Sequence, residues 1–303
     1  MPRSEPYPRD SAPAAVAGAA GAVVVSLLLA LASGPVVAPP DVAVLGEIQR
    51  AARAEQWVSL PIGERTVRVA EFFLGTPYVG GTLDTNPEKE VCTVVLDGLD
   101  CVTLAEVSFN LARWLKGPAQ TPDHLVKLVE ETRYRNGRNT GYASRLHYTT
   151  EWFYDMGQRQ LGTNLAGELP GAVTEFKRIN FMTQNADKYP AIAAGGASMI
   201  SALKQHENRL SGLRLPYVPL SALGGAETRL RTGDLIGITT DREGLDTSHV
   251  GLFVRDKEGK TYFLHASSTQ KMVVKQQGFL EAIKRQPRVT GIVVFRPREV
   301  GGF

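Results

Sequence analysis

The stretch "SHVGLFVRDKEGKTYFLHASS", residues 248–268, reads as two apolar-rich β-strands around the turn "DKEG". A three-residue loop of Asp256, Lys257 and Glu258 sets Arg255 opposite Gly259 and His249 opposite His265. A five-residue loop keeps that register, whereas a two-residue loop changes the parity and sends the histidines to opposite faces. In the first register the two Cβ atoms lie roughly 5 Å apart on one face. Gly251 leaves room beside His249 for another group to approach. Two facing histidines read as a buried hydrogen-bonded pair, as ligands of a metal, or as the basic part of a catalytic triad.

Moving outward, "DLIGITT", "KMVVKQQ" and "TGIVVFRP" are further short β-rich runs, separated by Gly, Asp and Lys as turns require. Upstream, residues 41–74 carry two amphipathic helical patterns, "EIQRAARAEQW" and "TVRVAEFFLG", followed by the Gly- and Thr-rich loop "GTPYVGGTLDTN". A long helical or irregular stretch runs from Thr121 to about Arg229. Helices first and strands last predict an α+β domain with a mostly antiparallel sheet.

The thiol candidate lies in "VLDGLDCVTLAEVSFNLARW", residues 95–114. Leu104, Val107, Leu111, Trp114 and Leu115 recur at helical spacing, with Glu106, Asn110, Arg113 and Lys116 on the other side. With Asp100 as N-cap, Cys101 falls in the first turn, where the helix dipole favours thiolate. A capping box over Thr103–Glu106 pushes Cys101 back into the loop instead. Gly117-Pro118 ends the helix in either case. Cys92, in "EVCTVVLDG", reads as a small apolar strand residue. A Cys92–Cys101 disulfide is the simplest alternative in an oxidising compartment, but two cysteines make a poor framework for so large a domain, and two free thiols are the favoured reading. If Cys101 packs over the hairpin face, His249 takes its proton and His265 orients the ring. A zinc site built from Cys101, His249 and His265 is the competitor, without Cys-x-x-Cys or His-x-x-x-His spacing to support it.

The chain of 303 residues has 43% hydrophobic residues and a formal charge of +3, with no basic run that marks a nucleic-acid binder. Its first 34 residues carry an uncharged apolar run from Ala14 to Ala32, which reads as a signal peptide or an uncleaved inner-membrane anchor. "SGPVVAPPDVA" follows as a Pro-rich linker, which leaves residues 41–303 as a single domain. The body is therefore expected in the periplasm or cell envelope.

Together, "GTPYVGGT…GLDCVTLAE", "RYRNG…YASRLHYTTEW", "TGDLIGI", "SHVGLF" and "FLHASS" resemble the N-acetylmuramoyl-L-alanine amidase-like family, within the papain-like NlpC superfamily of cell-wall cysteine hydrolases. The superfamily's signature falls here on Tyr78, Asp100-Cys101, Gly233-Asp234, His249 and His265. The resemblance implies a papain-like fold with the cysteine helix packed on an antiparallel sheet and a large insertion between the Cys and His motifs. It also implies hydrolysis of a peptidoglycan or muropeptide amide through a thioester, with no metal or organic cofactor. Cys101 is then the nucleophile, His249 the general base and His265 the orienting residue. The Cys101 amide and the Tyr78 hydroxyl are candidates for stabilising the oxyanion. Tyr78, Asp100, Arg145 and His147 are the expected substrate-binding residues, the last two from the polar-aromatic segment Arg133–Trp152. One departure matters. Many superfamily peptidases carry Asp-Cys-Ser, whereas this chain has Asp100-Cys101-Val102, so a preference for stems beginning with free L-Ala does not carry over. The readings of another class are a catalytically inert wall-binding or scaffold module and a zinc-dependent amidase.

Overall fold

Among the described residues seven strands form one sheet in the order β1-β7-β3-β4-β5-β6, with β2 also on β7 and every pairing between them antiparallel. They are β1 Gly162–Asn164, β2 Val218–Pro219, β3 Leu235–Thr240, β4 Thr247–Arg255, β5 Thr261–Ser267, β6 Met272–Gln277 and β7 Val289–Pro297. The principal helices are α1 Pro39–Ala54, α2 Ile62–Phe72, α3 Cys101–Trp114, α4 Pro122–Arg133, α5 Thr149–Gln158, α6 Pro190–Leu213 and α7 Phe279–Lys284. The computed structural model describes residues 39–300. The expected leader and most of its linker lie outside the described residues. Among the described residues no helix is long and apolar enough to cross a membrane.

Strand alternation sorts the core into two layers. Val250, Leu252, Leu264 and Ala266 point to one face, where residues of α1 to α4 cover them. Phe253, Phe263 and Ile238 point to the other, under Phe279, Ala282 and Ile283 of α7. A third cluster lies within the insertion, around Ile192, Leu203 and Leu210 of α6.

The mixed α+β architecture and its antiparallel sheet follow the sequence reading, with differences in detail. The hairpin pairs Leu252 with Leu264 and Arg255 with Thr261, so its loop is residues 256–260, rather than the 256–258 or 255–259 of the expected register, and the pairing is two residues away from that register. Asp256 closes the longer loop: its backbone N–H donates to Lys260 O at 3.0 Å, and its carboxylate accepts from Lys260 N at 2.8 Å. A two-residue slip preserves parity, so both histidines keep one face but stand diagonally rather than directly opposite. Gly251 is also reassigned, because the Phe263 ring fills its space and a Cβ there would lie 2.5 Å from it.

The Cys92 run is irregular rather than a strand. Its backbone bonds go to side chains and loops instead, such as Leu96 N–H to the Asp41 carboxylate at 2.7 Å. The expected two-sided helix α3 is buried on nearly every side. Its polar side is tolerated because it is paired: Glu106 with Arg133, and Asn110 Nδ2 with Thr132 Oγ1 at 2.6 Å. Short strands β1 and β2 lie within a stretch expected to be helical or irregular.

Candidate functional site

Asp100 is extended (φ −97°, ψ −178°), and its carboxylate accepts from Thr103 N–H at 2.8 Å. Thr103 Oγ1 in turn accepts from Asp100 N–H at 2.8 Å, a reciprocal capping box with Thr at the third position. Helix α3 therefore starts at Cys101, as the Asp100 reading requires, and the Thr103–Glu106 alternative is not formed. The Asp100 carboxylate holds the helix end.

The Tyr78 loop is tied to that start. Val79 N–H donates to Leu99 O at 3.1 Å, Leu99 N–H to Pro77 O at 3.1 Å, and Tyr78 N–H to Lys271 O at 2.9 Å. The loop thus bridges the β6 end of the sheet and the residue two before Cys101. Burial pushes the Tyr78 hydroxyl up to about 12, with Cys101 and Asp100 adding to the shift. Its proton stays on, so it can donate.

Cys92 and Cys101 are both free thiols. The dipole argument for Cys101 is present but loses. Burial, then the Asp100 charge, push the thiol up to about 12, against the backbone amides of Val250, Val102 and Cys101 itself. Desolvation of an anion outweighs a few amide dipoles.

The sheet opens at this point. Pairing between β4 and β5 stops at Leu252–Leu264, although β4 reaches back to Thr247 and β5 runs on to Ser267. The backbone amide of Val250, one residue from His249, lies near enough to the Cys101 sulfur to favour its thiolate. Across the opening, His249 Nε2 lies 2.7 Å from His265 Nδ1, with the rings nearly perpendicular at 85°. His265 stacks on Phe263 at 4.7 Å and 22°. The imidazoles therefore stand on the Phe253–Phe263 face, whereas α3 packs on the Val250–Leu252 face. The body of α3 thus covers the sheet face opposite the imidazoles, and its first residue, Cys101, comes to the end of the slit beside Val250. Burial, then His265, lowers His249 to about 3, and burial also lowers His265. Among the described residues His265 Nε2 is buried without a hydrogen-bond partner within 3.5 Å, although the Gln276 side chain is near enough to favour the charged ring.

Gly233-Asp234 serves the frame. Gly233 has φ +92°, and a Cβ there would lie 2.2 Å from Gly63 Cα of α2. Asp234 takes two bonds from Arg296 of β7, each 2.7 Å.

Arg145 and His147 are not brought to the Cys101 opening as bare ligands. Arg145 is buried, and its guanidinium is engaged by Glu90 at 2.9 and 2.7 Å, by Asp84 at 2.8 Å and by Leu83 O at 3.1 Å. It braces the far end of the Tyr78 loop. His147 Nε2 meets Tyr142 O at 2.9 Å, and burial, then Arg145, lower its ring to about 3. Cation-rich sequence between aromatics is compatible with either a cleft or a buried brace, and only the partners Asp84 and Glu90, some 55 to 61 positions away, decide it.

Sequence reasoning gave no signal for the cavity of about 290 Å³ next to the β3–β4 bend, lined by Thr150, Lys177, Tyr217, Thr239 and Asp246 among others. Thr239 pairs with Thr247, two residues from His249. Among the described residues no group of three or more His, Cys, Asp or Glu is gathered to hold a metal ion.

Residues 68–292 match the model of a family described as N-acetylmuramoyl-L-alanine amidase-like. Among solved structures, an N-acetylmuramoyl-L-alanine amidase from Bacteroides uniformis ATCC 8492 is similar at 28% identity and TM-score 0.70, over 78% of this chain and 99% of that one. A Legionella pneumophila protein shares the fold at 19% identity and TM-score 0.63, over 86% of this chain and 96% of that one. No curated protein matches the chain.

Proposed function

From a chain that belongs to the N-acetylmuramoyl-L-alanine amidase-like family, we propose a papain-like, NlpC-type cysteine hydrolase that cleaves a peptidoglycan amide bond in the cell envelope. The observation that carries this reading is the opened ladder: where β4 and β5 part, His249 is bonded to His265, and the neighbouring Val250 amide lies beside the Cys101 sulfur.

The resting thiol and imidazole are both neutral at pH 7. With Nε2 of His249 donating to Nδ1 of His265, Nδ1 of His249 is left to accept a proton. As the sulfur attacks the amide carbon, the thiol proton passes to that nitrogen. The Tyr78 hydroxyl and the Cys101 amide donate to the oxyanion. Collapse breaks the C–N bond, His249 hands its proton to the departing amine, and a thioester remains. Water, deprotonated by His249, then attacks the thioester, and the thiolate leaves and takes the proton back. His265 fixes the tautomer and steadies the imidazolium.

Purified muropeptides digested with the protein and weighed by mass spectrometry test this, since the fragment masses identify the bond. Cys101→Ser should abolish cleavage and keep the fold. Cleavage that survives in this variant removes the thiol from the reaction. The inert wall-binding reading is favoured by one observation, that Cys101 is pushed as high as the structural Cys92, to about 12. Muropeptide binding without cleavage would select it.

A further inference from the structure

The segment Arg133–Trp152 sends Arg145 and His147 inward, but two of its other cations open on a pocket of about 490 Å³. Its polar lining is Arg135, Asn136, Arg138, Thr140, Ser144 and His206, without a single carboxylate. Three of the five Arg135 N–H donors are committed, two to Glu151 at 3.0 and 2.8 Å and one to Ala143 O at 2.9 Å. Arg209 also spends its charge on Glu151, at 2.7 Å. Two guanidiniums thus share one carboxylate, and a positive charge is left over. Arg138 is exposed and forms no ion pair among the described residues. The neighbouring carboxylates are engaged elsewhere: Glu131 by Arg113, and Glu130 by the Asn139 amide at 3.3 Å.

His206 senses the excess. Burial lowers its pKa first, Arg135 and Arg209 lower it further, and Glu151 alone opposes them. An imidazole held neutral by adjacent cations regains its proton when an anion enters. A pocket floored by spare guanidinium donors and rimmed by hydroxyls is complementary to a group with several acceptor oxygens and negative charge.

We propose that this pocket, formed between the 135–144 turns and His206 of α6, is a binding site for an oxyanion group, phosphate or carboxylate. None of its residues belongs to the Cys101–His249–His265 constellation, and the site does not depend on the hydrolase reading. Ligands of this chemistry come as free or polymer-borne phosphate, or as the carboxylate of a glutamate-containing stem peptide.

Isothermal titration of the full chain with inorganic phosphate, and separately with the dipeptide L-Ala-γ-D-Glu, tests the proposal and separates the two sources. Saturable one-to-one binding of at least one is expected. Tighter phosphate binding assigns the phosphate source, and tighter dipeptide binding the carboxylate. Arg138→Gln should weaken the preferred ligand by about tenfold or more, the scale of a lost charge-assisted hydrogen bond, while Arg138→Lys recovers part of it. Proton NMR of His206 supplies a readout that a structural role would not move: its titration midpoint rises on ligand addition, and less so in Arg138→Gln. Absence of saturable binding by both probes, or equal affinity in Arg138→Gln, overturns the proposal. The exposure of Arg138 makes loss of the fold in that variant unexpected, and a thermal melt checks it.

Discussion

Glu106→Gln isolates what holds the cysteine helix in place. Glu106 and Arg133 are 3% and 4% exposed, and Arg133 Nε meets both carboxylate oxygens at 3.1 Å while Nη2 takes a further bond to Oε2. Arg133 Nη1 also donates to Thr93 O at 2.6 Å, so one guanidinium ties α4 to α3 and to the segment before it. Burial by itself lowers the guanidinium's pKa, but Glu106 outweighs it and the net shift is upward, so the group stays a cation. Replacing the carboxylate by an amide of the same shape leaves that cation buried and unpaired. The expected cost is about 3–5 kcal/mol, the range for breaking a buried pair from one side. At about 2–4 °C per kcal/mol for a domain this size, the melting temperature should fall by about 6–20 °C. Glu106→Leu combined with Arg133→Met should restore much of the loss, because it removes both desolvation penalties. Urea melts of Glu106→Leu, Arg133→Met and the double complete the cycle. The exposed pair Lys284–Glu281, at 50% and 62%, is the control, and Glu281→Gln should cost less than about 1 kcal/mol. If Glu106→Gln costs no more than that control, the reasoning about burial is refuted.

Three further outcomes are expected. Asp100→Ala removes one side of the capping box and should destabilise the protein by about 0.5–2 kcal/mol in a denaturant melt, with Asp100→Asn recovering most of it. Iodoacetamide should label Cys101 with a rate rising about tenfold per pH unit from pH 7 towards 11, and faster than the fully buried Cys92. A rate that is already flat at pH 7 would mean a thiolate–imidazolium pair at rest. His147 and His249 are held near 3 when folded and titrate near 6.5 when unfolded, so the unfolded chain binds more protons between those values. Stability should be full above about pH 6.5 and fall on acidification towards pH 3, at up to about 1.4 kcal/mol per unit for each ring, and His147→Gln should flatten the slope in pH-dependent melts.

Local chemistry was enough for the sequence to determine several features. Asp100 ahead of an apolar helical repeat is a good N-cap, so the start of α3 at Cys101 was one of two starts legible in the sequence, and the structure forms it. The alternating runs after Gly233 placed five strands, and the parity of the hairpin kept both imidazoles on one face. Parity survives any slip of two, which is why the pairing of faces was sound and the exact opposition was not. Tertiary structure decided the rest. The opening of the β4–β5 ladder and the raised pKa of the thiol beside it both depend on what packs around them. The fate of Arg145 depended on carboxylates in a distant loop. Periodicity and caps act within a few residues, whereas desolvation and ion pairing are set by neighbours that only the folded chain brings near.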